Sequence, residues 1–320
     1  GVNAFYLKKG RDEEINSPKI ENLKNETALN PGVMADILKK IIKKYPAEKI
    51  AIFIKSEGMG WKQVMDDETI KYPAMKIGSL RRALENVSSS IGKKIDVLAF
   101  DASAMAMAEV GYELKDVVKY MIASEEYVGA KGFSYDKIFN DWRVVSNKIE
   151  PKEFARMIVE KAIGFGNERV VTLSAVDLEK AEDLANAINS FADIVLRKIK
   201  EKSKDVELIR EKITVTQKFT DNPSDYHNYR DLMHFMKQIK EDEKIGKEVR
   251  EKAENVIKVL ENYVIANYNT NKYEGAHGVS IQLQYDTQIP SNYQLETLFG
   301  QYTLWDEMIN ELNKKEEEEF

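Results

Sequence analysis

Two short stretches carry residue types that could do chemistry. Residues 56–61 read SEGMGW and follow the apolar run AIFI at 51–54; residues 101–105 read DASAM and follow IDVLAF at 95–100. A side chain set where a buried strand stops is held by rigid structure yet faces a crevice, which is what a nucleophile or a base requires. Glu57 and Ser103 occupy those places. A serine hydroxyl is a poor nucleophile at neutral pH without a base to take its proton. An ordinary carboxylate, with a pKa of about 4.3, is mismatched to that task by many units. The structural alternatives are a small residue at a crowded strand-to-helix turn for Ser103 and a solvated or ion-paired loop residue for Glu57.

The elements that must position these two residues alternate in type. NAFYL is a short β-type run, and PGVMADILKKIIKKYP places a proline in a helical first turn with Val33, Ile37, Leu38, Ile41 and Ile42 on one face. KIAIFI and KIDVLAF are continuous runs suited to strands buried on both faces, with SLRRALENVSSSI as a helix between them. SAMAMAEVGYELKDVVKYM is expected to be helical, MIAS strand-like, and EEYVGAKGFSYDKIFNDW to turn through glycines into a further helix. This alternation predicts βαβ units around a largely parallel sheet. From about residue 151 helices dominate: PKEFARMIVEKAIGFG, AEDLANAINSFADIVLRKIKEKS, DEKIGKEVREKAENVIKVLENYVIANY and LFGQYTLWDEMINELNKK are expected to be helical, with VVTLSAVDL and GVSIQLQ as strands. No proline- or glycine-rich linker divides the chain, so the halves are expected to pack as one unit.

Composition narrows the function classes. The 320 residues include 54 acidic and 48 basic side chains, a net charge of -6, which offers no field for a phosphate backbone. No nucleic-acid partner is expected. No apolar stretch approaches the roughly 20 residues that cross a bilayer, and a soluble chain is expected. Cysteine is absent, which excludes a thiol nucleophile and thiolate metal sites. No cofactor is implied.

The two strand-end loops and the stretches C-terminal to them resemble the clostripain family of cysteine peptidases, relatives of the caspases. Gly58, Gly60 and Trp61 match a His-Gly-x-Gly-Trp loop whose histidine position holds Glu57; Phe100, Asp101 and Ala102 match Phe-Asp-Ala-Cys, with Ser103 in the cysteine position. Met105, Glu109, Val110, Tyr112, Glu113 and Leu114 follow the family's next helix, and Ala123, Ser124, Glu125 and Glu126 its next strand end. Gly132 with Tyr135, TLSAVDL at 172–178, GVSIQLQ at 278–284 and Trp305 continue the resemblance. It implies a caspase-like α/β core over residues 1–150, a mostly parallel sheet flanked by helices, and a helical continuation with added strands over 151–320. Members open with a Trp-Thr-Val-Leu-like strand, a helix and another strand before the region resembling AFYL; here those N-terminal strands are expected to be missing. The family also implies an extracellular or periplasmic setting.

With both dyad positions replaced, the resemblance implies an inactive pseudopeptidase kept for peptide binding or scaffolding. An active hydrolase using Ser103, or a purely structural role, are the alternatives. Asp101 stands where arginine- or lysine-selective members place their pocket acid, which implies a basic peptide partner; the alternative is a cap on the following helix.

Other candidates have plainer readings. Trp61 is either a ligand-stacking platform or a buried anchor for its loop. Met105 and Met107 are expected to fill core from a helix. His227 and His234 are spaced to share a helical face, and His277 lies in a glycine-flanked loop. Asp66 and Asp67 resemble an Asp-Asp-Thr stretch of the family, but a hard cation wants about 6–8 oxygens. No metal is expected.

Overall fold

The computed structural model describes residues 2–7, 17–23, 27–66, 74–145, 148–162, 170–219 and 228–314. A two-stranded antiparallel ribbon, β1 (Val2–Phe5) and β2 (Lys19–Leu23), precedes α1 (Pro31–Lys44), β3 (Ala51–Lys55), α2 (Ile77–Ile91), β4 (Ile95–Asp101), α3 (Ala108–Leu114) and β5 (Val118–Ala123). Then come α4 (Tyr135–Val145), α5 (Pro151–Ala162), β6 (Thr172–Asp177), α6 (Ala181–Lys200) and α7 (Asp205–Val215). The last third holds β7 (Tyr229–Asp231), α8 (Leu232–Glu241), α9 (Lys247–Tyr263), β8 (Val264–Asn269), β9 (Ser280–Gln282), α10 (Tyr293–Glu296), α11 (Leu298–Tyr302) and α12 (Trp305–Leu312).

The central sheet has the order β3-β4-β5-β6-β8. β3, β4 and β5 are parallel, while β6 and β8 are each antiparallel to their neighbours, so the sheet is mixed. It crosses the boundary at residue 150 drawn from the sequence. All seven residues of β4 are buried, and its side chains alternate between two cores. Leu98 and Phe100 pack with Leu84 of α2, Val110 of α3 and Ile188 of α6. Val97 and Ala99 pack with Ile138 of α4 and Phe154 and Ile158 of α5. That two-sided burial, worth roughly 1.5–3 kcal/mol for each large side chain, is why the strand reads as an unbroken apolar run.

Local signals set the element ends. Asn30 caps α1 by accepting from the amides of Gly32, at 2.9 Å, and Val33, and Pro31 starts the helix. Gly92 ends α2 in the left-handed region, φ 69°, a conformation that costs a residue without Cβ least.

Four expectations need correction. Residues 103–121 are not one helix: Ala104 turns at φ 57°, Met105–Met107 runs on without helical structure, Ala108–Leu114 is helical, and Val118 starts β5. The Met-Ala-Met-Ala repeat has period 2, and its backbone bonds sideways, Ala106 N–H to Ser124 and Ser280 N–H to Ala106, at 2.9 and 2.8 Å. Met105 and Met107 are fully buried, but not from a helix. VIAN is likewise strand rather than a continuation of α9, because Val264–Asn269 finds a partner in β6. The terminal helix is broken between Tyr302 and Trp305, where Leu304 N–H donates to Asn189 Oδ1 at 2.8 Å.

Candidate functional site

The register of β3 against β4 brings the two loops together. Ile54 faces Phe100 and Lys55 faces Asp101, and the ladder runs one bond further, Ser56 N–H to Asp101 O at 3.3 Å. Ser103 N–H then donates to Glu57 O at 2.7 Å. Gly58 sits on the turn of the second loop: with φ 73°, a Cβ there would lie 2.5 Å from Ser103 O and 2.7 Å from Ser103 N. Only glycine permits both that conformation and that approach.

Ser103 is buried, and its Oγ accepts from the amide of Val128 at 3.1 Å. Ala104 follows at φ 57°, a strained value for a residue with Cβ, and donates its N–H to Glu126 O at 3.2 Å. Glu57 is exposed, and among the described residues its carboxylate has no hydrogen-bond or ion-pair partner. No side-chain bond links it to Ser103.

Asp101 is engaged from within. Its Oδ1 accepts from the Phe133 amide at 3.1 Å, and its Oδ2 from Tyr135 Oη at 2.9 Å, with Lys55 Nζ 3.3 Å from the same oxygen. Burial, then the Asp101 charge, pushes the Tyr135 hydroxyl well above the usual phenol range. The helix-cap reading of Asp101 fails, since the following helix starts at Ala108 with Met107 at its N-cap. Sequence reasoning overlooked Lys55, although its place on β3, two residues before Glu57, mirrors that of Asp101 before Ser103.

Trp61 is fully buried; its Nε1 donates to Gln282 Oε1 at 2.8 Å, and its ring meets Tyr293 edge-on at 5.1 Å. It is therefore a loop anchor, not a stacking platform. Gly60, at φ 63°, leaves room for Met107 Sδ, which a Cβ would approach to 2.3 Å.

Behind the loops lie buried carboxyls that the sequence did not distinguish from surface acids. Glu109 Oε1 accepts from Gln282 N and Tyr293 Oη, both at 2.9 Å, and burial pushes its pKa up to about 7. Glu125 Oε2 accepts from Gly278 N at 2.9 Å, and Asp231 from the amides of His234 and His277, at 2.5 and 2.6 Å. Burial and mutual repulsion hold Glu125 well above the carboxylate range; burial lifts Asp231 to about 6. These acids tie β5, β7 and the 277–280 segment together.

His234 and His277 lie with ring centroids 6.3 Å apart, a juxtaposition invisible in the sequence. Burial lowers both, His277 to about 4. His227 and Asp67 lie outside the described residues. Among the described residues no cluster of three or more His, Asp or Glu is placed to hold a metal, and no helix is long and apolar enough to cross a membrane.

A mixed sheet, helices on both faces and two loops meeting beyond the carboxyl ends of adjacent parallel strands define a caspase-like α/β protein. The chain belongs to the clostripain family, whose sequence pattern it matches over residues 8–312. It is similar to Clostripain of Hathewaya histolytica, 23% identical over 323 residues, covering 84% of this chain and 60% of that protein. The chain thus spans three-fifths of the length of that relative. Among solved structures it resembles an inactive zymogen C11 protease from Parabacteroides distasonis, with TM-score 0.65 and 19% identity over 96% of this chain and 83% of the other. It also resembles a secreted C11 cysteine protease from Bacteroides thetaiotaomicron in complex with an irreversible peptide inhibitor, with TM-score 0.63 and 17% identity over 94% and 84%.

Proposed function

We propose that this chain is a clostripain-family protein that binds peptide segments without hydrolysing them. The observation that carries this reading is the state of Ser103. Its hydroxyl accepts from the Val128 amide, and its own amide donates to Glu57 O at 2.7 Å. Acyl transfer needs a base at the nucleophile, and sites of this kind commonly use the nucleophile's amide to hold the developing oxyanion. Here neither is in place: the residue in the base position is an exposed carboxylate without a bond to Ser103, and the amide is already engaged.

What remains is the loop frame. Trp61, Gly58 and Gly60 still frame the first loop, and a strand-end crevice is where open α/β sheets bind ligands. The test is turnover of fluorogenic peptide libraries by the wild-type chain and by Ser103→Ala. No cleavage above background by either is expected. Turnover by the wild type that vanishes in Ser103→Ala would overturn the reading and make the protein a serine-dependent hydrolase.

A further inference from the structure

Lys55 and Asp101 are partners in the parallel register of β3 and β4. Side chains opposite one another on neighbouring strands share a face. The Asp101 side chain is fully buried, while that of Lys55 is 51% exposed. Two oxygens of a carboxylate offer about four lone-pair positions. Three are taken, by Phe133 N, Tyr135 Oη and Lys55 Nζ. Gly132 packs close against the pair: a Cβ there would fall 2.2 and 2.4 Å from the carboxylate oxygens and 2.4 Å from Lys55 Nζ. A guanidinium binds a carboxylate best through both oxygens at once, and both Asp101 oxygens already carry a donor.

We propose that Lys55 is the specificity-determining residue of this strand-end site. Its ammonium fills the place on Asp101 that a basic ligand side chain would take, so the site rejects arginine and lysine side chains and admits uncharged or acidic ones. The proposal rests on the peptide-binding reading and deepens it. Lys55 is tethered one strand away and is present at high effective concentration, whereas a free ligand is not. An incoming cation must displace it and then sit beside a second ammonium at short range, where like charges repel. The half-exposed Lys55 presents a positive group to solvent, while the Asp101 carboxylate beneath it is fully buried.

Benzamidine carries the planar, charged fork and needs no catalysis to be read. Its binding is measured by calorimetry and NMR shifts on the wild type, Lys55→Met, Lys55→Arg and Lys55→Met/Asp101→Asn, with Lys55→Gln as a second neutral variant should Met fail to fold. The wild type and Lys55→Arg are expected to show no saturable binding. Lys55→Met gains about tenfold or more in affinity, equivalent to about 1.4 kcal/mol, and Asp101→Asn removes the gain. Equal binding by wild type and Lys55→Met overturns the proposal. So does a folded Lys55→Met or Lys55→Gln that gains nothing. Hydrolysis dependent on Ser103 would sink the non-hydrolytic reading and leave this titration interpretable.

Discussion

The amide of Ser103 donates to the carbonyl oxygen of Glu57 across 2.7 Å, so the two strand-end loops are joined main chain to main chain. The bond depends on neither side chain. A frame fixed in this way tolerates replacement of both residues, which is how a peptidase fold can persist around Glu and Ser at positions where the family resemblance leads one to expect His and Cys. The constraint falls instead on the glycine between them.

Gly58→Ala is expected to destabilise the fold by about 2–4 kcal/mol, combining the cost of a non-glycine residue at positive φ with overpacking. The atoms an added Cβ would meet are the Ser103 carbonyl and amide, backbone that cannot swing aside. Urea unfolding of the two proteins reads the difference. A loss under about 0.5 kcal/mol, the range of an ordinary surface change, would mean that the loops do not touch as described.

Glu109→Gln should stabilise the protein at pH 8 and do less at pH 5. Burial raises the Glu109 pKa from 4.5 to about 7. Between those values the unfolded chain has released the proton and the folded chain retains it, so stability falls as pH rises through the window, and the full penalty is present above about 7. Glutamine keeps an acceptor for Gln282 N and Tyr293 Oη and carries no charge to desolvate. The expected gain at pH 8 is on the order of 1–3 kcal/mol. Because His277 is lowered to about 4, its own contribution runs the other way and is lost as pH falls below about 6.5. Comparing variant with wild type at each pH cancels that background. A gain that is the same at both pH values would show that Glu109 is ionised alike in the folded and unfolded chains.

Trp61→Ala is expected to cost about 3–5 kcal/mol, the range for removing a large buried aromatic. Trp61→Phe should cost about 1–3 kcal/mol, because it leaves Gln282 Oε1 buried without its donor. Thermal and urea unfolding measure both. A Trp61→Phe variant of unchanged stability but altered peptide binding would return Trp61 to the role of a ligand platform.

Much of the frame was legible because its signals are local. The apolar runs of β3 and β4, the Pro31 start of α1 and the glycines at 58 and 60 are fixed by burial and backbone conformation acting within a few residues. The misreadings share a cause: the partner lay far off in sequence. Met105–Met107 leaves the helix because Ser124 and Ser280 pair with Ala106, and Val264–Asn269 is a strand because β6 is beside it. The period-2 alternation of Met105 and Met107 did signal the first of these. The Lys55–Asp101 pair required the register of two strands, which apolar runs alone leave open. The buried acids at 109, 125 and 231 look like any surface carboxylates until their surroundings are placed.

The double change Glu57→His with Ser103→Cys tests whether the loop frame can hold a histidine and a cysteine within reach of each other. The loops are already docked through the Ser103 amide and the Gly58 turn, and cysteine is a small enlargement at a buried position. A neighbouring imidazole lowers a thiol pKa and creates thiolate at neutral pH. The double variant is therefore expected to react with iodoacetamide at position 103 at least tenfold faster than Ser103→Cys alone. The rate should rise as pH climbs through a value below the ordinary thiol pKa of about 8.5. Amide turnover should stay slow while the backbone N–H at position 103 remains bound to the carbonyl at position 57, since that donor would be needed at the oxyanion. Mass spectrometry of the alkylated peptide against time gives the rate. Equal rates for the single and double variants would mean that the position-57 side chain does not reach position 103, and that the two loops are joined through their backbones alone.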